Sequence, residues 1–373
     1  MSNPIIASIV ICSAIFLALH LASRLLLLSF RSRAKKLFGS SPWLPIRRGL
    51  PCQDAETVEF VTHDQVKLVG SYFRCSENLK NGVVIYCHEL NGTRFGVTPY
   101  VRKFMQSGFD VFAFDMRNHG ESQEISDFIP TPWVTKHDLA DLRAAIDYLC
   151  RQNDNNSGNN HPDDKSINIG VFGVSKGATI AACMAGLDSR IAALVLDSPA
   201  PEGRLFERDC WTTLTRGKRR WATIFSRRYT ILFCMAVVFS LACPFVMIVK
   251  AWWRLILGYW YGCRFISTRP LVCCARQPIF IIHGNQDHFC RVDQIHAFCH
   301  RMPHRPSVWI VLDSSHGETA ERAGDEYTEK IVDFFKKSFS RQNLSLRVDS
   351  AVKEKVPFFL REFVQSPNSL ASH

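Results

Sequence analysis

The chain has 373 residues, enough for one large domain with additions. Its apolar share of 47% is high for a soluble protein and low for a polytopic membrane protein. The formal net charge is +11, but the basic residues flank apolar segments and no nucleic-acid motif is present, so the charge points to an anionic membrane surface rather than nucleic acid.

Pro4 to Phe30 carries one charged residue, Arg24, and Ile5 to Ala22 is long enough for most of a bilayer crossing. No Lys or Arg precedes it, so it lacks the basic start of a secretory signal peptide. Arg31, Arg33, Lys35 and Lys36 follow it. The positive-inside rule then predicts a single-pass N-terminal anchor with the main domain on the cytoplasmic side. A cleaved signal peptide or a buried helix is the competing interpretation. The 14 cysteines lack metal-ligand spacing and read as reduced thiols, most of them small buried hydrophobes.

Trp133 to Cys150 has helical periodicity, with Leu139, Leu142, Ala145, Ile146 and Leu149 on one face. Gln152 to Asp164 is rich in Asn and Asp and reads as a mobile surface loop. Ser166 to Phe172 reads as a buried strand and Ala178 to Ala185 as a helix of small residues. Between them stands Gly173-Val174-Ser175-Lys176-Gly177. A serine with glycines two residues to either side, between a strand and a helix, is the form of a nucleophile elbow, where only small residues fit beside the tight turn. Ala192 to Asp197 is a further apolar strand. Thr230 to Val249 carries no charge and, as a helix, would span about 30 Å.

Pro278 to Asp287 is an apolar strand ending in a polar turn, with Asp287 just past its end. Ser307 to Leu312 is another strand and leads into Asp313-Ser314-Ser315-His316-Gly317, ahead of a helix expected from Glu318 to Phe339. Serine, aspartate and histidine therefore follow in one order, each at the carboxyl end of a strand, where open α/β sheets bind ligands. Asp197 also ends a strand and is a second candidate acid. The same order constrains the apolar segment. Ser175 precedes it and His316 follows it, so a single crossing would part them by a membrane. A helical hairpin or lid, with Pro244 inside it and Trp252, Trp253, Tyr259, Trp260 and Tyr261 at an interface, fits better. A cap helix buried against the sheet is the plainer alternative.

On these motifs the chain resembles the α/β-hydrolase superfamily, nearest its serine hydrolases of the monoacylglycerol-lipase, Bem46 and serine-aminopeptidase type. Asn81 to His88 looks like that family's third strand, and Phe109 to Ser122 like its fourth strand with the D-x-R-x-H-G-x-S turn. Thr57 to Thr62 and Val66 to Arg74 look like its first two, antiparallel, strands. The resemblance implies an α/β fold, a mostly parallel eight-stranded sheet carrying an inserted helical cap, to which the apolar start of the chain adds an N-terminal anchor helix. The resulting domains are 1–36 anchor and basic flank, 37–55 linker, 56–199 core, 200–276 apolar cap, 277–340 core and 341–373 polar tail. The tail includes an amphipathic piece, Val352 to Val364. By position in the family, the backbone N–H groups of Leu90 and Lys176 would form an oxyanion hole. The loop departs from the usual His-Gly: it reads His88-Glu89-Leu90-Asn91-Gly92, and Glu89 could place a carboxylate at the pocket mouth. Lys176 is expected to face solvent or to add charge beside the oxyanion. His88, His119 and His283 are expected to be structural.

The expected activity is a membrane-anchored serine hydrolase with Ser175 as nucleophile, His316 as base and Asp287 as the orienting acid. It would need no metal or organic cofactor. Its expected partners are membrane lipid and an acyl-containing lipid or thioester substrate. A serine peptidase, a protein depalmitoylase and a catalytically silent scaffold are the alternatives.

Overall fold

The computed structural model describes residues 49–52, 54–75, 81–156, 167–200, 266 and 268–345. The chain divides into two compact units, Met1–Pro45 and Ile46–His373, and all of these residues belong to the second. The expected anchor and basic flank (1–36), almost all of the cap (201–265) and most of the polar tail (346–373) lie outside the described residues. Among the described residues no helix is long and apolar enough to cross a membrane.

Eight strands form one sheet: β1 Glu56–Val61, β2 Lys67–Phe73, β3 Gly82–Cys87, β4 Phe109–Phe114, β5 Ile169–Val174, β6 Ile191–Asp197, β7 Ile279–Gly284 and β8 Ser307–Val311. Their spatial order is β1-β2-β4-β3-β5-β6-β7-β8. The β1–β2 and β2–β4 pairs are antiparallel, and every later pair is parallel. Among the described residues the α-helices are α1 Thr98–Gln106, α2 Lys136–Asn156, α3 Lys176–Ala185, α4 Thr268–Val272, α5 Val292–Cys299, α6 Thr319–Ala323 and α7 Asp325–Ser345.

The central strands are nearly continuous apolar runs because helices cover both faces. Alternate side chains serve opposite layers. Val83, Ile85 and Cys87 pack with Leu142, Ile146, Ala178 and Ala182 of α2 and α3. Val84 and Tyr86 pack on the other face with Val101 and Phe104 of α1 and with Phe335 of α7. Tyr327, Ile331, Phe335 and Phe339 make one buried stripe along α7. Phe335 occupies the space that Gly170 leaves open, since a Cβ there would lie 2.5 Å from its ring.

Two expectations need correction. The helix expected over Glu318–Phe339 is two helices, because Gly324 at φ 57° ends α6 in a conformation that side-chained residues rarely adopt. Helix α2 continues to Asn156, so the first part of the expected Gln152–Asp164 loop is helical; 157–164 lie outside the described residues. Helices α1 and α5 had no counterpart among the sequence expectations.

Candidate active site

Strand β5 runs into α3 through Ser175, whose backbone adopts φ 51° and ψ −113°. That conformation is costly for a residue with a Cβ and is held by its surroundings. The Ser175 N–H donates to the Asp197 carbonyl at 2.8 Å. The flanking glycines are required by close approach. A Cβ on Gly173 would lie 2.5 Å from the Gly177 carbonyl oxygen, and one on Gly177 would lie 2.1 Å from that of Cys87. The start of α3 is thus pressed against the end of β3.

His316 follows β8. Its loop is pinned to the end of β7, where the Gln286 N–H donates to the Ser314 carbonyl at 2.9 Å. Gly284 allows this approach, because a Cβ there would lie 2.2 Å from the same oxygen. The His316 Nε2 lies 2.9 Å from Ser175 Oγ, and its Nδ1 lies 2.6 Å from Asp287 Oδ2. An ionised carboxylate only accepts, so Nδ1 carries the proton and Nε2 is left to accept the serine hydroxyl. All three residues are buried, and the ring of Phe289 packs beside the imidazole at 5.0 Å.

Asp287 is oriented by backbone. Its Oδ1 accepts the N–H groups of Phe289 and Cys290, each at 2.8 Å. Burial works against its ionisation, but the hydrogen bond and charge of His316 outweigh burial and hold the carboxyl below its ordinary range. Asp197, the second candidate acid, does not face His316. Its carboxylate accepts the hydroxyls of Ser198, Thr319 and Tyr327.

Lys176 opens α3, so its N–H is a first-turn donor with no acceptor inside the helix. Leu90 lies in the turn after β3, which the Gly92 N–H closes onto the Glu89 carbonyl at 3.0 Å. Contact of Gly177 with Cys87 and His88 brings these two segments together. The side chain of Lys176 corrects an expectation: it does not face solvent. It is buried, and its ammonium lies 2.7 Å from Asp138 Oδ1, a charge contact with angles outside hydrogen-bond geometry. Asp138 is set in turn by the N–H and hydroxyl of Thr135, both on Oδ2 at 2.8 Å. No sequence motif marked Asp138 as the partner. Glu89 also turns inward. It is buried, with Oε2 accepting the Tyr86 hydroxyl at 3.3 Å, rather than lying at a pocket mouth.

The remaining family-like motif builds the floor of this region. Asp115 pairs with the Arg94 guanidinium and accepts the N–H groups of Arg94 and Glu121. Ser122 Oγ donates to the Asp115 carbonyl at 2.6 Å and accepts the Val69 N–H at 2.9 Å. The His88 Nε2 accepts the Met116 N–H at 3.0 Å, while His119 Nδ1 lies 2.9 Å from the Arg117 carbonyl. Burial, reinforced by the Lys176 charge, lowers the pKa of His88 to about 4. Burial, then the charges of His88 and Lys176, lowers that of His119 to about 3. His283 is likewise lowered by burial and lies 2.7 Å from the Cys290 carbonyl. Among the described residues no group of His, Cys, Asp and Glu could hold a metal ion.

A family model described as the alpha/beta hydrolase fold matches residues 82–226. The chain is 23% identical over 314 residues to the uncharacterized protein YfhR of Escherichia coli K12, covering 83% of this chain and 86% of that one. It is 27% identical over 151 residues to the thiohydrolase aneE of Aspergillus aculeatus, covering 40% and 43% of the two chains. Among solved structures, the Pyrococcus furiosus esterase Pf2001 matches at a TM-score of 0.54 and 21% identity, over 79% of this chain and 96% of that one. Sheet order, the strained serine between β5 and α3 and the family-model match together show that the chain has the α/β-hydrolase fold.

Proposed function

We propose that the chain is a serine hydrolase that cleaves ester or thioester bonds through an acyl-enzyme. The observation that carries this is the buried hydrogen-bonded sequence Ser175 Oγ, His316, Asp287. In the first step Ser175 Oγ bonds to the substrate carbonyl carbon as its proton passes to His316 Nε2. Asp287 holds the imidazole tautomer and stabilises the imidazolium that forms. The N–H groups of Leu90 and Lys176 receive the oxyanion, and act on rate because that charge exists only near the transition state. The carbon–oxygen or carbon–sulfur bond breaks, and the leaving alcohol or thiol takes the proton from His316. Water then repeats the cycle on the acyl-enzyme and releases the acid. The chemistry runs on side chains and backbone dipoles alone.

The substrate class rests on the sequence. An apolar cap over 200–276 and an anchor over 1–36 favour a lipid ester, a lysophospholipid or an acyl thioester met at a membrane. The same features favour a single-pass protein with its catalytic unit on the cytoplasmic side. The names of the esterase and thiohydrolase relatives agree with the reaction type.

A fluorophosphonate probe tests the reaction. The intact chain should be labelled and Ser175→Ala should not, with turnover of p-nitrophenyl esters falling by about 10⁶-fold. Equal labelling of the two would refute the hydrolase assignment. In the same assay, octanoate and longer esters should outpace acetate; equal turnover across the series would remove the lipid component.

A further inference from the structure

We propose that Asp197 is a positioning residue that holds Ser175 and His316 at reacting distance. The inference rests on Ser175 and His316 being the reacting pair. Asp197 ends β6, with β5 on one side and β7 on the other, and is wholly buried. Through its backbone it holds the nucleophile, because its carbonyl accepts the Ser175 N–H at 2.8 Å. Through its side chain it holds the histidine loop. Its Oδ2 accepts the Thr319 hydroxyl at 2.7 Å and also that of Tyr327, while Oδ1 accepts the Ser198 hydroxyl at 2.9 Å.

Thr319 is the first residue of α6 and lies just past the His316 loop, and Tyr327 lies in the first turn of α7. One residue, through its carbonyl and its carboxylate, therefore ties the elbow of β5 to both helices that follow the histidine. Three hydroxyl donors satisfy a buried group that would otherwise be costly. His316 spans from Ser175 to Asp287, so a small shift of its loop lengthens one of its two hydrogen bonds. Displacements of about 1 Å in a reacting pair cost on the order of 10²-fold in rate. The role differs from that of Asp287, which touches the imidazole itself.

The test uses the full chain and an alkyl fluorophosphonate, which bonds to Ser175 Oγ as fluoride leaves. Thr319→Val keeps the side-chain shape and removes the hydroxyl. Its labelling rate at saturating probe should fall by about tenfold, with the half-saturating concentration within about twofold of the parent. Thr319→Ser, which restores the donor, should recover most of the rate. Asp197→Asn and Tyr327→Phe should follow Thr319→Val, and either serves if Thr319→Val does not fold. Folded variants that label within twofold of the parent would overturn the positioning role, whatever their melting temperatures. If the parent itself labels no better than Ser175→Ala, the hydrolase assignment fails and this inference falls with it. A labelled parent matched by Thr319→Val would remove only the role of Asp197.

Discussion

His316 and the pair His88 and His119 are all buried imidazoles, yet they are built for opposite ends. His316 lies between a hydroxyl and a carboxylate, at 2.9 and 2.6 Å. His88 and His119 meet backbone groups instead, and their ring centroids are 5.0 Å apart. Burial alone disfavours the imidazolium, and a nearby ammonium adds to that. Lys176 supplies such an ammonium to His88 and His119, so both stay neutral well into acid. Of these three imidazoles, His316 alone is hydrogen-bonded to a carboxylate able to stabilise a transferred proton. A carboxylate hydrogen bond, rather than burial, is what separates His316 from His88 and His119.

The sharpest way to break this contrast is to remove that carboxylate. Asp287→Asn leaves His316 without a charged partner, as His119 already is. Activity on p-nitrophenyl esters should fall by about 10⁴-fold, the scale seen when a triad aspartate is neutralised. A loss smaller than tenfold would mean that the carboxylate is not what distinguishes His316.

Lys176 belongs to both regions, since its backbone opens the helix that follows Ser175 while its charge lies beside His88 and His119. Lys176→Met would leave Asp138 buried and unpaired. Unfolding by urea should show a loss of about 3–5 kcal/mol, much of it recovered in Lys176→Met/Asp138→Asn. A loss below about 1 kcal/mol would show that the pair contributes no more than a surface contact.

The smallest effect is a pH slope. An unfolded histidine titrates near 6.5, whereas His88 is held at about 4 and His119 at about 3. Between pH 6.5 and 4 the unfolded chain binds protons that the folded chain refuses. Stability should therefore fall as pH drops through that window, by up to about 1.4 kcal/mol per pH unit for each histidine. His119→Asn should make the slope shallower by about one such share, measured by urea unfolding at pH 6 and 4.5. An unchanged slope would show that His119 is not held neutral.

Much of this was legible in the chain because it is encoded over short spans. The elbow glycines, the strand ends at Asp287 and His316, and the turn from Asp115 to Ser122 each sit within a few residues of the geometry they create. Glu89 and Lys176 were misjudged for a related reason. Each stands in a loop or at a helix start, where polar residues commonly meet solvent, and the groups that bury them come from Tyr86 and from α2.

By itself the sequence determined the order of the eight strands, the serine turn and two candidate acids, because periodicity and turn chemistry act locally. The family resemblance favoured Asp287 over Asp197, and the tertiary structure decided what each carboxylate meets. Asp287 and His316 are 29 residues apart, and His316 and Ser175 are 141 apart. Which carboxylate meets the imidazole depends on how β6, β7 and β8 align their ends. That alignment gives Asp287 to His316 and turns Asp197 toward Thr319 and Tyr327.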